Sequence, residues 1–523
     1  MKIKVGVASI IYLLSVNFNW SSGQSIFQKI YGDSTYYDFT YSGGQTSDGG
    51  YFVSGGTNEY SSDSGSFYLI KTDSNANVLW KKTYGDPLAH DLCRYVEQTS
   101  DSGFIMIGYS AFNFSYSLYL IKTNSNGTLL WSKMYYWPGY YDVNTVHQTS
   151  DGGYIILAGM FAGGYKDICL LKTDSIGNIT WANKFGGTNL DEPDRVKQTT
   201  DGGYLITGTT NTPLPGWINA YLIKVNTSGG VQWSRSFGGT QYDYGGDFVQ
   251  TSDGGYLMAG FTNSFGAGNF ARSYLVKTDT SGVPLWTKTY SCPDCNLSSH
   301  SIMQTADSNF ILHANNFTGP HSGTSYFLKL NSSGDTIWTR THGTISNTAG
   351  FSSLASDGGI VLAGTASVGI YSVTPYLIKA DSSGHTFCYE EHTPFTIYID
   401  TSILQTQATP SSIISPTITI PLTIETTVNY IETDACTLQG INDIVAKPIL
   451  TIWPNPATSL FKVNISHFAG KGSLEIFNTL GDKIYSAVYS GPLTVDCEHF
   501  PRGIYFVRVS NSEKQRTQKL IIQ

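Results

Sequence analysis

Gln45-Thr46-Ser47-Asp48-Gly49-Gly50-Tyr51 decides the fold, because the chain spells it repeatedly. It returns at Gln98–Phe104, Gln148–Tyr154, Gln198–Tyr204 and Gln250–Tyr256, with weaker copies at Gln304–Phe310 and Leu354–Ile360. The shared aspartates are Asp48, Asp101, Asp151, Asp201, Asp253, Asp307 and Asp357, spaced 50 to 54 residues apart. A second marker keeps step: Tyr68-Leu69-Ile70-Lys71-Thr72-Asp73 followed by Trp80. Its copies are Tyr119–Asn124 with Trp131, Cys169–Asp174 with Trp181, Tyr221–Asn226 with Trp233, Tyr274–Asp279 with Trp286 and Tyr326–Asn331 with Trp338. In every copy the Trp follows the Lys by nine residues. A fixed period of this length is the signature of a repeat architecture.

Within a unit the apolar residues alternate with a period of two. In the second unit this happens over Arg94–Thr99, Phe104–Gly108, Leu118–Lys122 and Leu129–Met134, which predicts four strands. Gly and Asn at the intervening turns supply the positive φ that tight hairpins need. Four antiparallel strands per unit, repeated, is the arithmetic of a propeller blade, and no unit has room for two helices. The expected fold is therefore all-β: a seven-bladed β-propeller of four-stranded blades over 24–388. Phe27–Asp33 matches Trp80–Asp86, an orphan fourth strand ahead of the first unit, while the seventh unit ends with Cys388 where Trp is expected. The N-terminal strand is thus expected to complete the last blade and remove a free sheet edge.

Composition agrees with this reading. Of the 523 residues, 13% are charged, 14% are aromatic and 55 are glycine. The net charge of −8, with no basic block, excludes nucleic acid and anionic membrane as partners that rely on electrostatics. Met1-Lys2-Ile3-Lys4, an apolar run to Val16 and Ser21-Ser22-Gly23 read as a signal peptide over 1–23. No other stretch reaches the length of a membrane-spanning helix. From 389 to 447 Thr, Ile, Ser and Pro dominate, as in Pro410–Pro421, which favours extended structure at an edge, in a linker or in a small β-module. The final residues, 448–523, alternate again and are expected to form a small β-sandwich.

Two resemblances follow from these motifs. The units over Phe27–Cys388 resemble bacterial Trp-containing β-propeller repeats and, more distantly, the blades of quinoprotein dehydrogenases. Trp453-Pro454-Asn455-Pro456, Asn478-Thr479-Leu480-Gly481, Gly503-Ile504-Tyr505 and Lys519-Leu520-Ile521-Ile522 occur in the order found in the C-terminal sorting domain of the type IX secretion system of Bacteroidetes. That resemblance implies export across the outer membrane, a sortase-like peptidase as partner, and a final place in the medium or on the cell surface.

Candidate sites are fewer. The six repeat tryptophans, Trp80, Trp131, Trp181, Trp233, Trp286 and Trp338, are expected to pack between neighbouring blades rather than stack a cofactor; none is expected. Asp38, Asp91, Asp191 and Asp243 lie seven residues before the repeat Gln, with Asp142 displaced by one. They are expected either as an acidic channel mouth or as caps of the strand starts. Trp137, Tyr140, Tyr141, Trp217 and Phe265 fall in loops as candidate platforms for a glycan or a protein. Cys292-Pro293-Asp294-Cys295 and the pair Cys388 and Cys436 are candidate disulfides in an exported chain. Nucleophile elbow, zinc-protease and phosphate-loop motifs are absent, and Asp191, Glu192 and Asp194 are adjacent in sequence without implying a catalytic cleft. The leading expectation is a non-catalytic, exported binding protein. A polysaccharide hydrolase or lyase and a structural surface-layer component are the alternatives.

Overall fold

The computed structural model describes residues 25–386 apart from 33–37, 58–64, 87–88, 113–114, 137–140, 163, 212–217, 266–269, 293–294, 318–323, 343–347 and 368–372. It also describes 390–391, 396–399, 403–406, 411–413, 417–419, 424–427 and 432–434. From 449 to 522 it omits only 454–456, 467–471, 479–480, 490–492 and 511–514. The chain divides into two compact units, Met1–Cys436 and Thr437–Gln523.

All regular structure among the described residues is β. The first unit holds seven five-stranded sheets, each containing the four strands expected of a propeller-like blade. In the second sheet these are His90–Gln98, Phe104–Phe112, Ser115–Thr123 and Leu129–Tyr136, longer at most ends than the alternation alone predicts. The second and third strands are buried on both faces, as in Tyr204–Thr210 and Asn219–Val225, because other sheets pack against them. The fourth strand of the seventh sheet is Phe27–Tyr31, which pairs antiparallel with Val373–Ala380 in the register Phe27↔Lys379 to Ile30↔Tyr376.

The Asp-Gly-Gly turns explain why the repeat is spelled as it is. Gly49 has φ +82°, and a Cβ on Gly50 would sit 2.2 Å from the carbonyl oxygen of Thr72. Asp48 accepts from Thr46 Oγ1 at 2.6 Å, from the Gly50 amide at 3.1 Å and from Lys71 Nζ at 3.0 Å. Lys71 comes from the third strand, is buried, and also donates to the Thr72 carbonyl. The same Lys–Asp pair recurs as Lys122–Asp101, Lys172–Asp151, Lys224–Asp201, Lys277–Asp253, Lys329–Asp307 and Lys379–Asp357. Burial pushes the Asp151 carboxyl up, but bonds from Lys172, Thr149 and the Gly153 amide outweigh it and hold it at about 2. A charge-assisted hydrogen bond of this kind contributes roughly 1.5–3 kcal/mol.

The repeat Gln joins one sheet to the next. Gln98 Oε1 accepts from the Ser47 amide at 2.7 Å, Gln148 from Ser100 at 2.7 Å and Gln198 from Ser150 at 2.8 Å. Gln45, in the first sheet, accepts from Ser356 of the seventh at 2.7 Å. Leu354 takes the Gln position in the seventh sheet and has no such acceptor to give.

Residues 390–434, read from the sequence as linker or small module, supply the fifth strand of every sheet. Glu390–Glu391 joins the sixth sheet, Thr396–Ile399 the fifth, Ile403–Thr406 the fourth and Ser411–Ile413 the third. Thr417–Thr419 then joins the second, Ile424–Thr427 the first and Glu432–Asp434 the seventh, beside Phe27–Tyr31. The segment therefore visits the sheets in descending order, always at the edge opposite the first strand.

The second unit has a three-stranded sheet, Ile449–Trp453, Leu460–Ser466 and Leu493–Asp496, and a four-stranded sheet, Gly472–Phe477, Lys483–Tyr489, Gly503–Ser510 and Gln515–Ile522. Phe461, Val463 and Val495 from the first meet Leu474, Ile476, Val507, Val509 and Leu520 from the second in one core.

Candidate functional site

Each first strand carries a β-bulge at the same place, four residues before the repeat Gln position. The register breaks leave out Tyr41, Arg94, Asn144, Asp194, the pair Gly245 and Gly246, His300 and Gly350 in successive sheets. A bulge frees one residue from pairing and re-aims its side chain. Five of the freed residues converge: Tyr41, Arg94, Asn144, His300 and Gly350 line one cavity of about 560 Å³, with Phe39, Asp142 and Arg195. That volume lies in the range of small-ligand sites.

The polar groups of this cavity are poorly matched to each other. Arg94 Nε, Asn144 Oδ1, Asp194 Oδ2 and Arg195 Nε are buried atoms with no hydrogen-bond partner. Arg94 lies over the Tyr41 ring at 4.9 Å, and Arg195 Nη1 donates to the Asp194 carbonyl at 3.1 Å. Burial pushes the Asp194 carboxyl up to about 6 against the pull of Arg195, with Glu192 and Asp142 adding to the rise. Burial, then the Arg195 charge, pushes the His300 imidazole down to about 4, so it is neutral at pH 7. Asp142 is tied to Lys166 at 3.3 Å, which also holds Glu192 at 2.7 Å.

The acidic series has a different environment from an open channel mouth. Asp38, Asp91, Asp191 and Asp243 are buried, and they turn toward their own loops or a neighbouring strand. Asp91 accepts from the Asp86 amide at 2.6 Å, Asp191 from Gly187 at 3.2 Å and Asp243 from Gly239 at 2.7 Å, while Asp38 meets Lys81 at 3.4 Å. Burial raises the Asp91 carboxyl to about 7. Three of these carboxylates thus accept from their own loops, Asp38 pairs with Lys81, and of the five aspartates Asp142 is the one that lines the cavity. Among the described residues no three His, Cys, Asp or Glu are grouped to hold a metal ion.

The repeat tryptophans lie on fourth strands, away from the cavity. Trp131 meets Tyr154 of the next sheet edge-on at 5.9 Å, and a Cβ on Gly177 of that sheet would lie 3.0 Å from the indole. Trp80–Phe104, Trp181–Tyr204 and Trp233–Tyr256 repeat the contact. Trp286 and Trp338 likewise face Gly334 and Gly384. Between the seventh and first sheets Phe27 takes this place against Tyr51 at 5.0 Å, and Tyr31 donates to the Ala76 carbonyl.

Of the loop aromatics, Trp137, Tyr140, Trp217 and the side chain of Tyr141 lie outside the described residues. So do residues 1–23, read from the sequence as a signal peptide, and Cys388 and Cys436. Phe265 does not stand free as a platform: it packs on Tyr274 at 5.6 Å, and its carbonyl accepts from Arg272. An aromatic row that the sequence reading passed over lies nearby, with Tyr244 stacked on Phe261 at 4.4 Å and Phe261 6.2 Å from the half-exposed Phe317. Cys292 and Cys295 form a disulfide, whereas Cys93, Cys169 and Cys497 are free and buried.

Residues 451–523 match the secretion system C-terminal sorting domain family. Among solved structures the chain is similar to a fungal alcohol oxidase of the AA5 family in complex with copper, with TM-score 0.40, 11% identity, and coverage of 94% of this chain and 99% of that one. It is also similar to an extracellular domain from B. thetaiotaomicron, described as part of a hybrid two-component system, with TM-score 0.24, 9% identity, and coverage of 92% and 78%. Scores this low carry no argument about chemistry. No curated protein matches the chain. Its C-terminal sorting domain marks it as exported, either secreted or attached at the cell surface.

Proposed function

We propose that this chain is a non-catalytic, glycan-binding protein exported by the type IX system of a Bacteroidetes bacterium. In this reading residues 1–23 are a signal peptide, 24–388 close into a seven-bladed propeller, and 448–523 are a β-sandwich that engages the secretion machinery and its peptidase. Closure is supported by the pairing of Phe27–Tyr31 with the seventh sheet and by the Gln45–Ser356 bond between the last sheet and the first. Residues 389–447 then serve as a girdle and a tether.

One observation carries the binding role. The frame repeats its turn, lysine, tryptophan and glutamine, whereas the bulge residues that line the cavity bring a different group from each sheet: Tyr41, Arg94, Asn144 and His300. A ligand of lower symmetry than the frame asks for a different group at each position. The test is a glycan array probed with the full chain, followed by product analysis on every hit. Binding without turnover is the expected result.

A secreted polysaccharide hydrolase or lyase is the second reading, favoured by the Asp194 carboxyl, whose rise to about 6 suits a general acid. Release of reducing ends that disappears in a folded Asp194→Asn variant would establish it in place of the first.

A further inference from the structure

We infer that the bulge-lined cavity takes a monoanionic sugar, either a uronic acid or a sulfate ester, with its acidic group held between Arg94 and Arg195. The inference rests on the glycan reading above and narrows it to a substrate class.

The seven turn lysines of the first unit each meet an aspartate. Arg94 and Arg195, both half-buried, are placed differently. Both line the same cavity, each leaves a buried Nε without an acceptor, and among the described residues neither has a carboxylate within salt-bridge distance. Two half-buried guanidinium groups lining one cavity repel each other, and their buried Nε atoms lack the hydrogen bonds that offset desolvation. An oxyanion satisfies both, and the Nε–Nη edge of arginine fits the paired oxygens of a carboxylate or a sulfate.

The remaining groups favour one negative charge on a hydroxyl-rich body. Asp142 lines the cavity and Asp194 adjoins it, so a dianion such as a phosphate monoester meets repulsion that a monoanion largely escapes. Asn144 Oδ1 is an acceptor awaiting a donor, which a sugar hydroxyl supplies. Phe39, partly exposed on the cavity wall, offers the apolar face against which the C–H side of a sugar ring packs.

The experiment is calorimetric titration of the full chain with methyl glucuronate glycoside, galactose 6-sulfate, and the neutral methyl glucoside and galactose. At least one of the acidic sugars should bind about tenfold or more tightly than its neutral counterpart, the two distinguishing carboxylate from sulfate ester. Arg94→Gln and Arg195→Gln should each remove that preference, while Arg235→Gln, placed on Trp233, should leave it intact. Rising salt should weaken acidic binding and spare neutral binding, a readout that needs no variant. Equal affinity for acidic and neutral sugars, or a preference indifferent to both arginines, overturns the inference and leaves the glycan reading standing. Failure of every sugar on the array and in the calorimeter overturns both.

Discussion

The turn aspartates and the bulge side chains are two sets of polar groups built on one repeat, and they are treated in opposite ways. At the turns each buried lysine meets its own carboxylate, and the arrangement is copied sheet after sheet. At the bulges the backbone irregularity is copied but the side chain is not, and atoms of Arg94, Asn144, Asp194 and of Arg195 beside it are left without partners. The difference teaches where each purpose is served. Identical residues answer an identical packing problem in each unit, whereas the first strand around the bulge is free to vary.

The severest way to break this contrast is to damage the frame. Removing Phe27–Tyr31 strips Val373–Ala380 of its partner and loses the Phe27–Tyr51 and Tyr31–Ala76 contacts. A fall in Tm of roughly 10 °C or more is expected in calorimetry, and an unchanged value would end the clasp reading. Trp181→Ala opens a cavity against Tyr204 and should cost about 3–5 kcal/mol in denaturant unfolding, with sugar binding by the folded fraction unaltered.

A finer cut compares one lysine with one arginine. Lys172→Met leaves Asp151 without its buried partner and should cost roughly 1–3 kcal/mol at pH 7. The sign with pH follows from the depressed carboxyl. Its contribution is present above the ordinary aspartate value near 4 and is lost as pH falls through about 2, so the variant should unfold less steeply in acid than the parent. Arg195→Met, in contrast, should leave stability unchanged or raise it by up to about 1 kcal/mol, because it removes a poorly matched charge. A large loss of stability there would make the bulge residues part of the frame and erase the distinction.

Much of the frame was legible because its determinants are local. Asp48-Gly49-Gly50 names a turn, and Trp80 at a fixed offset from Lys71 names a packing position. The lysine's partner was harder to read, since Lys71 and Asp48 meet across two strands and burial of an ammonium runs against expectation. For the Asp38 series the sequence left two settings open, a channel mouth and strand-start caps, and carboxylates such as Asp91 and Asp243 accept from nearby loop amides. The bulges left no clear trace, because the columns on either side of the fourth residue before Gln vary as much as that residue does. The role of 390–434 had no local trace beyond β-branched residues and prolines, because strands of two to four residues take their meaning from distant partners.

Those seven short strands have a consequence of their own. A pairing as brief as Thr341↔Glu391 with His342↔Glu390 would not survive by itself in water. Strung on one chain, each pairing raises the local concentration of the next, and seven weak grips act as a chelate. A cut at any single point leaves most of the grips engaged, so whole sheets stay bound to their neighbours after the covalent thread is severed. For a molecule exported from the cell, such redundancy protects shape without requiring an uncut chain.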